Sequence, residues 1–485
     1  MSQQLLHNQA WADAGIYARF LPNFTSAYLI LYDTFMSASI FKAYDIRGLV
    51  DEELTPDFAF ATGVAFARFL EIKREPGTVV IGEDMRPSSP ALATAFSAGV
   101  TSQGLDVIRI GLASTDMLYF AAGKLNLPGA MFTASHNPAA YNGIKLCFSG
   151  ARPIGKESGL LTIEKFVNEG TPMAMRNIGV EKSQNMLEEY VDHLLTLVDV
   201  SQIRPLKIVI DAGNGMGGYT APAVFKRLNA EVIELFFELD GSFPNHEANP
   251  IDPKNLVDLQ KAVKKHGADI GLAFDGDADR CFLVDEEGAL VNPSALTSLI
   301  ASRELVKYPG SNIIYNLISS RAVKEVVEEN GGTAVRSRVG HSYIKKLMAE
   351  TDAAFGGEHS GHFYFRDFWK ADSGMLAALH AIAALGESKK SLSTILKPFN
   401  RYHSSGEINS TVSDSAASME TIQQKFEADS EVEMDHLDGL TVSAKNWWFN
   451  LRASNTEPLL RLNVEASTQG QMEKVRDEVL KAIRS

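Results

Sequence analysis

"TVVIGEDMRPSSPALATAFSAGVTSQGLDVIRIG", Thr78–Gly111, decides the fold. It opens on an apolar, β-branched run, passes through a polar turn into a stretch of helical period, and closes on a second apolar run. That order reads as a strand, a helix and a second, parallel strand. It returns in "LKIVIDAGNGMGGYTAPAVFKRLNAEVIEL", Leu206–Leu235, and in "SNIIYNLISSRAVKEVVEENGGTAVRSR", Ser311–Arg338. The equivalent positions Val80, Ile208 and Ile314 stand a domain's length apart, too far for a solenoid repeat. The reading is an α/β protein of three tandem, related βαβ-containing domains. Beyond them, "GEINSTVSDS", "GLTVSAKNWWFNLRASNTEPLLRLNVEAS" and "QMEKVRDEVLKAIR" predict a smaller C-terminal α+β domain with more antiparallel strands and a closing helix. The expected divisions are 36–184, 185–289, 290–400 and 401–485. Four such domains are expected to surround a central cleft, the usual place for a ligand.

The 485-residue chain has a formal net charge of −14, with 45% hydrophobic and 22% charged residues. An acidic balance argues against nucleic acid or an anionic membrane as the main partner, since both select clustered Lys and Arg. It leaves room for a small anionic substrate in a local basic pocket. No apolar run reaches about 18 residues, so no membrane-spanning helix is expected. Cys147 and Cys281 each lie in an apolar run and read as buried free thiols of a reducing, cytoplasmic compartment. Residues 1–35 include the apolar, aromatic "FLPNFTSAYLILYDTF" without a positive leading region or a small-residue cleavage site. They read as a loosely attached extension ahead of Met36; a docked helix or an oligomer contact stays open.

"AFDGDADRCFLVD", Ala273–Asp285, is the most informative motif. Asp275, Asp277 and Asp279 stand two apart, and in an extended segment alternate side chains converge on one face. Three carboxylates together call for a hard cation, and all-oxygen ligation favours Mg²⁺. An EF-hand is excluded, because its sixth position needs Gly and here holds Arg280. "IDAGNGMGG" matches G-x-G-x-x-G after a strand and raises a rival, a dinucleotide-dependent oxidoreductase. Its sister units carry "GEDMRPSSP" and "NLISSR" there, so the glycines can equally serve tight packing. "GEHSGHFYF", Gly357–Phe365, sets Glu358, Ser360 and His362 at alternate positions, a set suited to sugar hydroxyls. Zinc is disfavoured, because a third nitrogen or thiolate ligand is missing. "RASNTEPLLR", Arg452–Arg461, gathers cations, hydroxyls, an amide and backbone N–H groups in one loop, which suits a phosphate dianion or a plain polar turn. "YDIRG" supplies Arg47 and "VGHSYIKK" supplies His341 after a strand. In "TASHNPAAYNGIKL", Thr133–Leu146, Ser135 reads as a helix cap, a turn residue or a nucleophile. No G-x-S-x-G frame surrounds it. With a metal, Lys145 and Arg47 available, a phosphoryl carrier makes the better chemistry.

Taken in order, "YDIRG", "TASHNP", "DGDADR", "GEHSGH" and "RASNTEP" resemble the motifs of the α-D-phosphohexomutase superfamily, most closely its bacterial phosphomannomutase/phosphoglucomutase branch, from about Ile40 to the C-terminus. The resemblance implies a phosphohexomutase that interconverts hexose 1-phosphate and 6-phosphate through a phosphoserine and a 1,6-bisphosphate. It implies Ser135 as the phosphorylated serine and a further metal ligand beside Asp275, Asp277 and Asp279. It implies Glu358 and Ser360 in sugar binding. Arg452, Ser454, Asn455, Thr456 and Arg461 would hold the phosphate that is not transferred. Arg47, Lys145, Arg280, His341 and His362 would assist proton transfer or orient the substrate. Mg²⁺ and a hexose 1,6-bisphosphate activator are the implied cofactors, a hexose phosphate the partner, and a monomer or weak homodimer the assembly. Many relatives have a lysine near Ile318, and glucosamine mutases tend to carry Gln where this chain has His359. That His359 lowers the phosphoglucosamine mutase reading, which stays an alternative, as do the oxidoreductase and a non-catalytic sugar-phosphate-binding paralogue.

Overall fold

A computed structural model describes residues 40–170, 177–427, 429–453 and 459–484, except for the side chain of His341. The chain divides into two compact units, one ending at Met186 and one beginning at Leu187. Each is described by itself.

In the first unit, the stretch that opened the sequence reading forms strand β2 (Thr78–Glu83), helix Ser89–Ser102 and strand β3 (Asp106–Leu112), with β2 and β3 parallel. The sheet runs β1 (Ile46–Leu49), β5 (Tyr141–Phe148), β4 (Gly129–Phe132), β2, β3, β7 (Glu181–Ser183), with β6 (Arg152–Pro153) on β5. β4 is parallel to β2, whereas β5 turns back antiparallel to β4. Phe58, Phe66, Phe96 and Phe132 form the centre of its core. Burying each such ring contributes about 1.5–3 kcal/mol.

The second unit repeats this plan twice. β8 (Leu206–Asp211), helix Gly217–Phe225 and β9 (Ala230–Leu235) form the second copy. β12 (Asn312–Asn316), helix Arg321–Glu329 and β13 (Thr333–Ser337) form the third. The sheets run β11 (Cys281–Asp285), β10 (Ile270–Phe274), β8, β9, and β13, β12, β14 (Phe355–Gly357), β15 (Phe363–Phe365), β16 (Ala371–Asp372). The C-terminal sheet runs β17 (His403–Thr411), β21 (Leu459–Ala466), β20 (Trp447–Ala453), β19 (Leu440–Ser443), β18 (Glu433–Asp435), all antiparallel. Helix Gln469–Ile483 closes it.

One regularity positions the site. In each copy the first strand has a parallel neighbour, β4, β10 or β14, which ends in a loop and returns antiparallel. Parallel strands end on the same edge, so that loop emerges beside the strand-to-helix turn of its own copy. The loops are 133–140, 275–280 and 358–362, and they hold three of the motifs read from the sequence.

The helix Gly374–Gly386, "GMLAALHAIAALG", is buried on nearly every side. Its His380 lies parallel to Phe365 with ring centres 5.3 Å apart, and Nε2 is 3.6 Å from Glu304 Oε1. Burial pushes the imidazole down to about 3 and the carboxyl up to about 7. The two cysteines are buried free thiols.

Candidate active site

Ser135 ends the β4 side of the first loop. It is 5% exposed and adopts φ 51°, a left-handed conformation that costs a non-glycine residue about 1–2 kcal/mol. Its N–H donates to Thr133 Oγ1 at 2.9 Å, and its Oγ lies 3.2 Å from His136 Nδ1. No helix starts here, so Ser135 is no cap. What holds the strained turn is Arg86, from the strand-to-helix turn after β2. Its Nη2 donates to the carbonyls of Ser135 (2.9 Å) and Asn137 (2.7 Å), and its Nη1 to those of Pro138 (3.0 Å) and Tyr141 (2.9 Å). Its Nε donates to Asp84 Oδ2 at 3.2 Å. Burial pushes the Asp84 carboxyl up, and Arg86 and Ser89 pull against that shift. On the loop's other side Arg47 Nη1 donates to Asn137 Oδ1 at 2.8 Å and pairs with Asp45. Lys145 is half-buried on β5, facing Met131 across the ladder.

The second loop gathers the acids. Asp275, Asp277 and Asp279 are buried, with one oxygen of each within 4.8 Å of the others. They converge because the chain curls, with Ala278 at φ 58° and its N–H on the Asp275 carbonyl, and not because a strand alternates. The expected cluster is present; its expected cause is corrected. Arg280 lies against it, donating from its backbone N–H (3.1 Å) and Nε (2.8 Å) to Asp275. Burial works against this guanidinium's charge, and Asp275, Asp279 and Asp277 outweigh it, holding its pKa above the ordinary value. Two carboxylates about 5 Å apart repel by roughly 3 kcal/mol at an effective dielectric of about 20. Three carboxylates gathered this closely form an all-oxygen donor set that fits a hard divalent cation.

The turn "GNGMGG" packs against this loop. A Cβ on Gly215 would stand 2.7 Å from the Gly276 carbonyl oxygen, and Met216 N–H donates to that oxygen at 2.9 Å. The glycine admits the acidic loop where a dinucleotide fold would leave a crevice for pyrophosphate, so the packing reading is favoured over the oxidoreductase. From the other side, a Cβ on Gly374 would meet the Arg280 carbonyl at 2.7 Å.

The third loop joins the second within this unit. Arg280 and His362 form an antiparallel bridge, and Cys281 N–H donates to the Gly361 carbonyl. His362 stands between the motifs, with Nε2 3.7 Å from Asp279 Oδ1, Nδ1 3.6 Å from Glu358 Oε2 and Ser360 Oγ at 2.9 Å. Glu358 is buried. Its Oε2 accepts from Tyr364 Oη at 2.6 Å and its Oε1 from Gly340 N–H at 3.2 Å. Burial first, then Glu358 and Asp372, drive the Tyr364 phenol well above its usual range, so it stays a donor. Asp372 comes near Asp279 and His362, and is paired with buried Lys345 at 2.5 Å. His341 opens helix His341–Thr351; its side chain lies outside the described part.

In the C-terminal sheet Arg452 and Arg461 face each other across β20 and β21. Glu407 stands 3.4 Å from Arg452 Nη2 and 3.6 Å from Arg461 Nη1, and Asp438 lies 3.7 Å from Arg452 Nη1. Burial lowers the Arg452 pKa despite these carboxylates. Ser454, Asn455 and Thr456 lie outside the described residues, as does the 1–35 extension.

Sequence reasoning missed Arg86, Tyr364, Asp372 and Lys345. The only available signal was a charged or phenolic residue inside an otherwise apolar or small-residue stretch, as in "GEDMRPSSP" and "HFYF".

Family models match the chain in four consecutive pieces. They are the phosphoglucomutase/phosphomannomutase alpha/beta/alpha domains I (residues 38–173), II (188–288) and III (292–402), and the C-terminal domain (407–482). The "Phosphohexose mutases" of Xanthomonas campestris are 42% identical over 432 residues, covering 89% of this chain and 95% of theirs. The phosphomannomutase of Salmonella typhimurium is 40% identical over 452 residues, covering 91% and 98%. Among solved structures, a phosphoglucomutase/phosphomannomutase family protein from Burkholderia thailandensis has a TM-score of 0.84 at 32% identity, covering 92% of this chain and 97% of that one. The Aspergillus fumigatus N-acetylphosphoglucosamine mutase, solved with GlcNAc-6P and magnesium, shares the fold at a TM-score of 0.59 and 14% identity, covering 92% and 95%. Among the described residues no helix is long and apolar enough to cross a membrane.

Proposed function

The chain belongs to the phosphoglucomutase/phosphomannomutase family and is a phosphohexomutase, an isomerase, and from that premise we propose that it interconverts the 1- and 6-phosphates of mannose and glucose through a phosphorylated Ser135. Phosphorus on Ser135 Oγ is attacked by the free sugar hydroxyl. The P–Oγ bond breaks, the new P–O sugar bond forms, and the hydroxyl proton passes to a base, with Lys145, His341 and His362 the candidates. The 1,6-bisphosphate turns around, its other phosphate returns to Ser135, and the proton returns to the sugar oxygen.

Asp275, Asp277 and Asp279 would hold the metal ion, for which we propose Mg²⁺, with the Ser135 phosphoryl group as a further ligand. When bound, Mg²⁺ supplies electrostatic stabilisation of the charge that gathers on the transferring phosphoryl oxygens. Arg280 anchors the acidic loop through Asp275. Glu358 and Ser360 present acceptors and a hydroxyl to the sugar ring. Arg452 and Arg461, with Ser454, Asn455 and Thr456, grip the phosphate that stays, while Arg47 steadies the serine loop through Asn137. We read the domains as 36–184, 185–289, 290–400 and 401–485, the protein as cytoplasmic, and the assembly as a monomer or weak homodimer.

The observation that carries this reading is the buried trio of carboxylates joined through His362 to the Glu358 loop. The test is Ser135→Ala with a hexose 1,6-bisphosphate present. Turnover is expected to fall by on the order of 10⁴-fold, and intact mass should show no phosphoryl incorporation. Full turnover by that variant would refute the phosphoserine route. Side-by-side kcat/KM for mannose 1-phosphate, glucose 1-phosphate and glucosamine 1-phosphate ranks the sugars.

A further inference from the structure

We infer that Arg86 is a positioning residue for the phosphoryl-transfer step: it fixes the backbone of the Ser135 loop in the one conformation that presents Oγ for reaction. The inference rests on reading Ser135 as the phosphoryl carrier.

The geometry is unusual for a guanidinium with no substrate role. Arginine has five N–H donors in a rigid fork. All five are engaged here, four on carbonyls of the 135–141 segment and one on Asp84. Both side chains of the Arg86–Asp84 pair are 0% exposed. Asp84 is itself fixed: its Oδ1 accepts from Ser89 Oγ at 2.6 Å and from Arg86 N–H at 3.0 Å. Ser89 Oγ in turn accepts from Asn142 Nδ2 at 2.9 Å, and Ser88 Oγ does so at 2.8 Å. The network therefore closes on β5 directly after the loop.

Four carbonyls drawn to one centre turn their peptide planes together. The Ser135–His136 peptide is trans, so holding the Ser135 carbonyl on the guanidinium turns the His136 N–H away from it. Ser135 sits at φ 51°, where its backbone would not rest unaided. A lysine could supply the charge but not four divergent donors, so the shape of the fork matters and not its charge alone. Because the pair is fully buried and all five donors are taken up by the protein, Arg86 acts on the reaction through the loop and not by touching the substrate.

The test uses the full-length enzyme with Arg86→Lys and Arg86→Gln, measured beside Val100→Ala, a core truncation near the far end of helix Ser89–Ser102, which follows the Arg86 turn. The readouts are kcat, KM for the hexose phosphate and the rate of Ser135 phosphorylation by a 1,6-bisphosphate, each per folded molecule. For Arg86→Lys, kcat and the phosphorylation rate are expected to fall at least tenfold, with KM within about twofold. Val100→Ala is expected to lower the melting temperature and leave both rates unchanged. Wild-type kcat and phosphorylation rate in folded Arg86→Lys would overturn the proposal. If neither Arg86 variant folds, Asp84→Asn carries the test. It keeps the side chain's shape while releasing the guanidinium, and wild-type rates there would be equally fatal. Ser135→Ala separates the two readings. If it retains turnover, the carrier reading fails; if it is inactive while Arg86→Lys is fast, only the positioning role fails.

Discussion

The Ser135 loop and the Asp275–Arg280 loop occupy the same topological place in two copies of one unit, yet their charges are arranged oppositely. Around Ser135, the buried Arg86 guanidinium is paired with Asp84, and its five donors meet five acceptors. In the acidic loop three buried carboxylates lie together, with Arg280 on Asp275 and His362 3.7 Å from Asp279. The first loop is a closed hydrogen-bond network; the second gathers like charge that a bound cation would offset. A loop that must present one oxygen repeatedly to a reacting phosphorus gains from rigidity. A loop that must bind an ion gains from stored repulsion that binding relieves.

Substitutions can break this contrast. Asp277→Asn is expected to lower kcat by on the order of 10³-fold while raising the melting temperature of the metal-free protein, because it removes like-charge repulsion. Calorimetry with and without Mg²⁺ checks the second half, and a fall in metal-free stability would refute the excess-charge reading. In the first loop the sign reverses. Arg86→Met strands buried carbonyls and a carboxylate, and should cost about 4 kcal/mol by denaturant titration, with no dependence on Mg²⁺.

Glu304 and His380 sharpen the contrast, being buried titratable groups that balance by neutrality and belong to neither loop. Glu304 is raised from 4.5 to about 7, so the folded protein binds the extra proton and stability falls as pH rises between those values. His380 is lowered from 6.5 to about 3, so its contribution is full above 6.5 and is lost as pH falls toward 3. The two slopes oppose each other between about 4.5 and 6.5. Glu304→Gln should therefore be more stable than the parent at pH 8, by up to roughly 3 kcal/mol, and equal to it near pH 4.5. Melting curves across that range decide it; a pH-independent difference would count against the assignment. The smallest effect belongs to Tyr364→Phe, which removes one donor from Glu358. KM for the hexose phosphate should rise about fivefold, or about 1 kcal/mol, with the melting temperature nearly unchanged.

The three turns after β2, β8 and β12 show how one local plan is put to separate uses. The first sends Arg86 to the serine loop. The second uses Gly215 to admit the acidic loop. The third places Arg321 against the C-terminal sheet, with its N–H on Glu465 and Nη2 on the Ala444 carbonyl at 2.8 Å. All three turns were legible as turns, but their uses were not.

The sequence by itself determined the strand–helix–strand units, because periods of 2 and 3.6 are local properties of a chain. It also determined the acidic, serine and Glu-Ser-His motifs, because their chemistry lies within a few consecutive residues. Only the tertiary structure decided which residues support them. Arg86 reaches carbonyls 49 to 55 positions away. Asp279 meets His362 and Asp372, and Lys345 fastens Asp372, although these residues belong to separate elements. In the first unit the parallel order of β4 beside β2 brings Arg86 to the serine loop, and in the second the Arg280–His362 bridge brings the acidic loop to the Glu358 loop. No local period encodes that adjacency, because it arises only when the sheets pack.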